Sequence, residues 1–288
     1  MPFGLATLLC LLWANPQSVD AIGRGIELYK LHQYSEAAHA LEQALAGDAK
    51  NSPRFSEGVL TLGQSYFMLS QAPKAIPWLE RAPPSNEAFY MLGYAYLQTN
   101  RPDKSAEAFA RLFDLKPQTA AAHLMAAQMM LKKDYDEAAA KEVQAALALD
   151  AKIPEAHFLM AEIHLFRGRV DEGIAELKQE LLVNPNLAKA WYRLGEALSR
   201  QEKWDEAIPH LQRAVWLNPE YSGPYIVLGK CYFKKADLAN AEGILRRAVD
   251  IDPNNRQANF YLGQTLVAEG KQEEGRAILG KIRDTRGR

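Results

Sequence analysis

The sequence predicts an all-α protein assembled from about eight helical hairpins, and three markers in one register support this fold class. Small residues recur at positions 25, 63, 93, 127, 161, 195, 229 and 263, and the last five steps are 34 residues each. Another small residue follows each of these after 12 positions. Proline closes several repeats, at Pro117, Pro185, Pro219 and Pro253. A fixed period of roughly 20 to 50 residues indicates one supersecondary unit repeated along the chain.

Each repeat is predicted to form two amphipathic helices joined by a short polar turn. In the sixth repeat Trp191, Leu194 and Leu198 fall on one face of the first helix. The turn that follows contains Gly168, Gly270 or Asn100 in other repeats. Glycine and asparagine tolerate the left-handed backbone that ends many helices. The proline after the second helix stops it, because proline cannot continue a helix interior.

Three repeats depart from the regular pattern, and one of them is the eighth, which has Gly275 where alanine is usual. The second is short, and Pro83 and Pro84 end its second helix early, so we expect a local change of packing angle there. The fourth has Ala126 and Ala127 where other repeats have a Leu-Gly pair.

The sixth repeat, AKAWYRLGEALSRQEKWDEAIPHLQRAVWLNPEY, resembles the tetratricopeptide repeat pattern at nearly every signature position, and the seventh resembles it equally well. The resemblance covers about residues 18–284. It implies a right-handed α-solenoid superhelix with a concave groove, and protein–protein interaction as the default function. We place the repeats near 18–55, 56–85, 86–119, 120–153, 154–187, 188–221, 222–255 and 256–284, followed by a short basic tail, 285–288.

Residues 1–17 form an apolar N-terminal segment. The apolar run 3–13 is shorter than the roughly 20 residues that a membrane-spanning helix needs. Its length is typical of a secretory signal peptide, with cleavage expected near Asn15 or Ile22. We therefore expect an exported or periplasmic protein. The alternative is a cytoplasmic protein in which this segment caps the first helix.

The resemblance implies that one stripe of each first helix, at repeat positions 2, 5, 9 and 12, lines the groove. Aromatic and charged side chains alternate on and beside this stripe, which suits an extended peptide or a helix. The candidate peptide-binding residues are Tyr90, Tyr94, Phe158, Glu162, Lys189, Tyr192, Arg193, Glu196, Ile226, Lys230 and Phe233. We expect the four aromatic residues up to Tyr192 to form a contiguous strip. Alternatively, these aromatic side chains pack on neighbouring repeats.

Lys189 and Arg193 resemble half of the carboxylate clamp with which some tetratricopeptide proteins hold a peptide C-terminus. The other half is absent, because Leu124, Gln128 and Leu159 occupy the matching positions. We therefore expect Lys189 and Arg193 to pair with Glu162 or Glu196.

Composition and spacing exclude several function classes. The formal net charge is −1, with 34 basic and 35 acidic residues, so no basic surface for nucleic acid is expected. His157 and His164 are seven residues apart, unlike the four-residue spacing of a helical metal pair, and no CxxC motif is present. We expect no catalytic residues, no metal and no small-molecule cofactor. Cys231 is interpreted as a small buried apolar residue.

These observations predict a non-catalytic scaffold or adaptor that binds a protein or peptide in the groove. An alternative is an accessory or substrate-recruiting subunit of a separate enzyme or of an envelope assembly complex. A third alternative is self-association through the end repeats. No unrepeated stretch remains that could form a catalytic domain.

Overall fold

The structure, a computed structural model, describes residues 21–46 and 52–284. The apolar run 3–13, with Cys10, and the tail 285–288 lie outside the described residues. The described part of the chain forms sixteen α-helices and no strand, which confirms the all-α prediction. The chain divides into two compact units, the first ending at Glu142 and the second beginning at Val143.

The N-terminal unit is built from consecutive helical hairpins. Its helices are α1 (Ala21–Lys30), α2 (Tyr34–Ala46), α3 (Phe55–Met68), α4 (Ala72–Arg81), α5 (Asn86–Gln98), α6 (Pro102–Leu112) and α7 (Ala120–Leu131). Helix α8 (Asp136–Leu149) begins in this unit and ends in the next. Helix α2 packs against α3, α4 against α5, and α6 against α7.

The C-terminal unit repeats the same plan. Its helices are α9 (Ala156–Phe166), α10 (Val170–Val183), α11 (Ala188–Arg200), α12 (Trp204–Leu217), α13 (Ser222–Lys234), α14 (Leu238–Ile251), α15 (Arg256–Ala268) and α16 (Gln272–Asp284). The hairpins α9–α10, α11–α12, α13–α14 and α15–α16 therefore match the predicted repeats within a few residues.

The recurring small residue of each first helix lies against a large side chain of the second helix. A Cβ atom added to Gly195 would lie 2.5 Å from Leu211 Cγ, and one added to Gly229 would lie 2.4 Å from Leu245 Cγ. The carbonyl oxygen of Ala207, the small residue twelve positions after Gly195, is 3.3 Å from the added Cβ, so Leu211 is the closer neighbour. Glycine thus lets a leucine side chain fill the space between the two helices.

The turn inside every described hairpin contains one residue with left-handed backbone. These residues are His32, Ser70, Asn100, Asp134, Gly168, Glu202, Ala236 and Gly270, with φ between 56° and 87°. The prediction from Gly168, Gly270 and Asn100 is therefore confirmed, and the left-handed backbone also occurs in turns that have neither glycine nor asparagine.

We expect Ala236→Gly to raise the melting temperature. Left-handed backbone costs an L-residue about 1–2 kcal/mol, which exceeds the roughly 0.5–1 kcal/mol entropic cost of glycine. Thermal denaturation followed by circular dichroism checks this. Ala239→Gly is the control, because Ala239 lies in helical backbone of α14 and its replacement should lower the melting temperature. Equal shifts of the melting temperature in the two variants would contradict the argument that left-handed backbone strains Ala236.

The short second repeat leaves a cleft in the N-terminal unit. Helix α4 has 10 residues, whereas α12 has 14, and Pro83 and Pro84 follow it. The resulting space of about 310 Å³ is bordered by Leu79, Tyr96 and Glu107. The second helix of this repeat is therefore about one helical turn shorter than α12.

The fifth repeat carries a buried carboxylate at the N-terminus of α9. Glu155 adopts φ 70°, so α9 begins two repeat positions later than α11. Glu180 is completely buried in α10 and accepts hydrogen bonds from the backbone amides of Glu155 (2.8 Å) and Phe158 (3.2 Å). These amides belong to the first turn, which has no intrahelical acceptor. Glu180 therefore caps α9 from a neighbouring helix.

Candidate peptide-binding surface

Arg193 joins carboxylates of two consecutive repeats on the exposed side of α9 and α11. Its Nε donates to Glu162 Oε1 at 2.6 Å, and its Nη1 donates to Glu196 Oε2 at 2.5 Å. Arg200 also donates to Glu196, at 3.1 Å. Burial lowers the pKa of Arg193, but the two carboxylates outweigh it and raise the pKa above its usual value. The expected pairing of Arg193 is confirmed.

Lys189 pairs with a different carboxylate from those expected. Its Nζ lies 2.5 Å from Glu155 Oε2 and 4.7 Å from the centre of the Phe158 ring. Glu155 is available because it stays in the loop before α9. The expectation that Lys189 pairs with Glu162 or Glu196 was therefore wrong.

Tyr192 and Tyr221 form an aromatic pair beside this charged cluster. Their ring centres are 5.5 Å apart and nearly perpendicular, a favourable edge-to-face arrangement. Tyr221 is 45% exposed and immediately precedes α13. Burial, and next the charge of Glu196, raise the pKa of Tyr192, so its hydroxyl stays protonated at neutral pH. Sequence reasoning missed Tyr221 because it lies outside the first helices.

Three candidate residues lie on α13 with different degrees of burial. Ile226 is only 6% exposed and belongs to a buried apolar cluster. Lys230 Nζ lies 5.4 Å from the centre of the Trp204 ring. Phe233 is partly exposed, with its ring centre 6.2 Å from that of Tyr261. Lys230 and Phe233 therefore present surface, and Ile226 presents almost none.

Phe158 belongs to the core of the C-terminal unit. It is 9% exposed and packs in a cluster with Leu177, Ala190 and Leu194. Its ring lies beneath Lys189 and leaves little surface for a partner.

The remaining candidates, Tyr90 and Tyr94, lie in the N-terminal unit. Their rings meet edge to face with centres 4.9 Å apart. Tyr90 is 37% exposed, whereas Tyr94 is buried and donates a hydrogen bond to the Met129 carbonyl at 2.9 Å. Burial raises the pKa of Tyr94 to about 12. Of this pair, Tyr90 is the side chain exposed to solvent.

The described residues contain no group of three His, Cys, Asp or Glu side chains positioned to hold a metal ion. His157 Nδ1 lies 2.6 Å from Glu176 Oε2, while the buried Nδ1 of His164 has no partner in the described part of the chain. Cys231 is fully buried, as expected, and burial raises the pKa of its thiol. Among the described helices, none combines the length and apolarity needed to cross a bilayer.

Sequence comparison matches most of the chain to one family. Family models described as tetratricopeptide repeat match residues 22–88 and 90–154, 188–221, and 223–255. No curated protein matches the sequence significantly.

Several solved structures are similar in fold. MamA from Desulfovibrio magneticus RS-1, from residue 41 to its end, has a TM-score of 0.53 and 22% identity over 57% of this chain and 93% of its own. YrrB has a TM-score of 0.55 and 23% identity over 62% of this chain and 92% of its own. Pseudomonas aeruginosa pilF has a TM-score of 0.57 and 15% identity over 69% and 91%. These low identities establish a shared fold alone.

Proposed function

We propose that this chain, which belongs to the tetratricopeptide repeat family, is a non-catalytic scaffold that binds a protein segment through its C-terminal unit. The binding face we propose consists of Lys189, Tyr192, Arg193, Tyr221 and Lys230. The observation that carries the proposal is the Tyr192–Tyr221 pair, in which Tyr221 is exposed and Tyr192 is half-buried, set beside an ordered charged cluster. Tyrosine and arginine are the residue types most often responsible for binding energy at protein interfaces.

The charges of this face favour a partner segment that carries both positive and negative side chains. Arg193 is already paired with two carboxylates, and Lys189 with a third. A purely acidic tail would have to displace these internal carboxylates and would meet their repulsion. A segment with apolar side chains for the tyrosine pair and charges of both signs at its edges fits better.

The solved structures of similar fold are consistent with this proposal. YrrB is described as a tetratricopeptide protein with an unusual peptide-binding site. Its identity to this chain is too low to transfer individual residues, so the face is argued from the side chains of this protein.

Removing the tyrosine pair is expected to weaken binding strongly. Peptides selected from a displayed random library against the full chain should bind Tyr192→Ala/Tyr221→Ala at least ~2 kcal/mol more weakly, the usual threshold for an interface hot spot. Titration calorimetry with the selected peptides measures this difference. The selected sequences should also carry both acidic and basic residues.

Trp216→Ala provides the matched control. Trp216 is 69% exposed, lies on α12 and stacks on Arg213, so its removal takes away aromatic surface elsewhere in the same unit. The affinity of the Trp216→Ala variant for the selected peptides should equal that of the wild type. Melting temperatures of both variants separate lost binding from lost folding. A well-folded tyrosine variant with unchanged affinity would exclude this face.

A further inference from the structure

The last hairpin of the C-terminal unit exposes apolar positions that the preceding hairpin buries. Ile226 is 6% exposed, whereas Phe260, which occupies the same position one repeat later, is 45% exposed. Ala248 is fully buried, whereas its counterpart Ile282 is partly exposed. The last hairpin therefore presents larger apolar side chains at positions that are normally covered.

These positions form one continuous cleft. It has a volume of about 440 Å³, its floor is lined by Gln257, Phe260, Tyr261, Gln264, Leu279 and Ile282, and Arg256 also borders it. We call it the terminal cleft.

The structure shows what covers the same surface on the preceding hairpin. There Ala258 of α15 packs with Ile226 and Ala248, and Leu262 of α15 packs with Leu245. The covering helix thus carries a small residue followed, four positions later, by leucine.

Helix α11 covers the hairpin α9–α10 with the same pattern. Its Ala190 and Leu194 pack in a cluster with Phe158 and Leu177. Phe158 and Leu177 occupy the repeat positions of Phe260 and Leu279. In α13, the covering helix between these two, Pro224 stands at the small-residue position and Leu228 follows four positions later, and both are buried. Leucine recurs in all three covering helices, and a small residue precedes it in two of them.

A polar contact at the edge of the interface adds a charge preference. Asp171 accepts a hydrogen bond from Gln201 of the next hairpin at 2.8 Å, and Asp205 pairs with Lys235 of the next hairpin. Glu273 occupies the equivalent position in the last hairpin. A helix that covers the terminal cleft should therefore bring lysine or glutamine to Glu273.

We propose that the terminal cleft docks one amphipathic helix of another protein, which extends the helical stack by one element. That helix carries a small residue, a leucine or methionine four positions later, and a lysine or glutamine near its C-terminal end. The continuity of the cleft with the interfaces between hairpins supports this choice of partner. Glu273, at the repeat position of Asp171 and Asp205, supports the lysine or glutamine.

A second copy of this chain fits less well as the occupant. Helix α1, which would stack head to tail on the cleft, has Arg24 at the position where α11 has Leu194. It also has Leu31 where a lysine or glutamine is required. Arginine on the apolar floor of the cleft would be buried without a partner, which is costly.

The test uses a synthetic peptide with the sequence of residues 188–203, which contains Ala190, Leu194 and Gln201. A lactam staple between Glu196 and a lysine at position 192 of the peptide holds it helical on the side away from the cleft. Fluorescence anisotropy of the labelled peptide with the full chain should show saturable binding. The peptide change Leu194→Asp should remove it.

Variants of the full chain identify the site. Phe260→Ser/Ile282→Ser should weaken binding of the stapled peptide at least about tenfold, because it removes the apolar contacts of the cleft. Phe166→Ser is the matched control, since Phe166 is 76% exposed on α9, and its affinity should be unchanged. Circular dichroism verifies that all variants remain folded.

Two results would overturn the proposal. One is the absence of saturable binding by the stapled peptide, or binding that the double change leaves intact. The other is light scattering that shows a stable dimer of the wild type and a monomer of the double variant, because the cleft would then belong to a second copy. The binding face around Tyr192 and Tyr221 is tested by different variants, so the failure of one site leaves the other to be judged separately.

Discussion

Gly195→Leu is expected to unfold the sixth and seventh repeats while the N-terminal unit keeps much of its helicity. A Cβ atom at this position would lie 2.5 Å from Leu211 Cγ and 2.7 Å from its Cδ2, so the α11–α12 hairpin cannot close without moving. Overpacking of this kind costs typically ~1–3 kcal/mol, and each hairpin depends on its neighbours for stability. Circular dichroism should show a partial loss of helix, and limited proteolysis should cut within 188–255.

Gly243→Leu is the matched control for this experiment. Gly243 also lies in a helix, α14, but an added Cβ would meet no atom within 4 Å. Leucine has a better helix propensity than glycine, so this variant should melt at the wild-type temperature or above it. A Gly195→Leu variant that melts like the wild type would show that this contact between the helices is not needed for the hairpin.

Glu180→Ala is expected to cost roughly 2–4 kcal/mol, because it leaves two amides at the start of α9 without an acceptor in a largely buried site. The amides of Glu155 and Phe158 lose the hydrogen bonds that Glu180 now accepts. Chemical denaturation with urea measures the free energy of unfolding. Glu180→Gln should fall between the wild type and Glu180→Ala, since its single amide oxygen can replace only part of the carboxylate.

Glu172→Ala tests whether the effect belongs to the cap or to a loss of negative charge. Glu172 is exposed in the first turn of the same helix, α10, and its removal should cost less than about 1 kcal/mol. Equal losses for Glu172→Ala and Glu180→Ala would contradict the capping role of Glu180.

The sequence was sufficient to predict the hairpins because their determinants repeat. The small residues at 195, 229 and 263 recur every 34 positions, and each lies against a leucine of the second helix in the structure. Turn residues such as Gly168 and Gly270 marked the helix ends in the same register. Backbone geometry of this kind is set locally, so a single repeat already contains the necessary information.

The candidate face was harder to predict because exposure depends on the next repeat. Phe158 and Phe260 share one repeat position, yet the first is 9% and the second 45% exposed. The difference arises because α11 covers Phe158, whereas no described helix follows α16. Helical periodicity alone cannot show which positions a neighbouring helix covers.

Glu180 carried a signal that sequence reasoning did not use. The same repeat position holds Ala146, Ala214 and Ala248, which are all fully buried. A carboxylate at a position reserved for alanine must find buried donors. The glutamate at this position therefore indicated an irregular start of a neighbouring helix. At that start Glu155 stays outside α9, where it pairs with Lys189.

Site-specific photocrosslinking in the source cells tests the central claim most directly. The photoreactive residue p-benzoylphenylalanine is placed at Tyr192 in one variant and at Trp216 in the other, and the adducts are identified by mass spectrometry. If the chain is a scaffold that binds through the face around Tyr192, position 192 should give a discrete adduct with the same protein in repeated experiments. Position 216 should not give that adduct. The absence of an adduct at position 192, or the same adducts from both positions, would contradict the account.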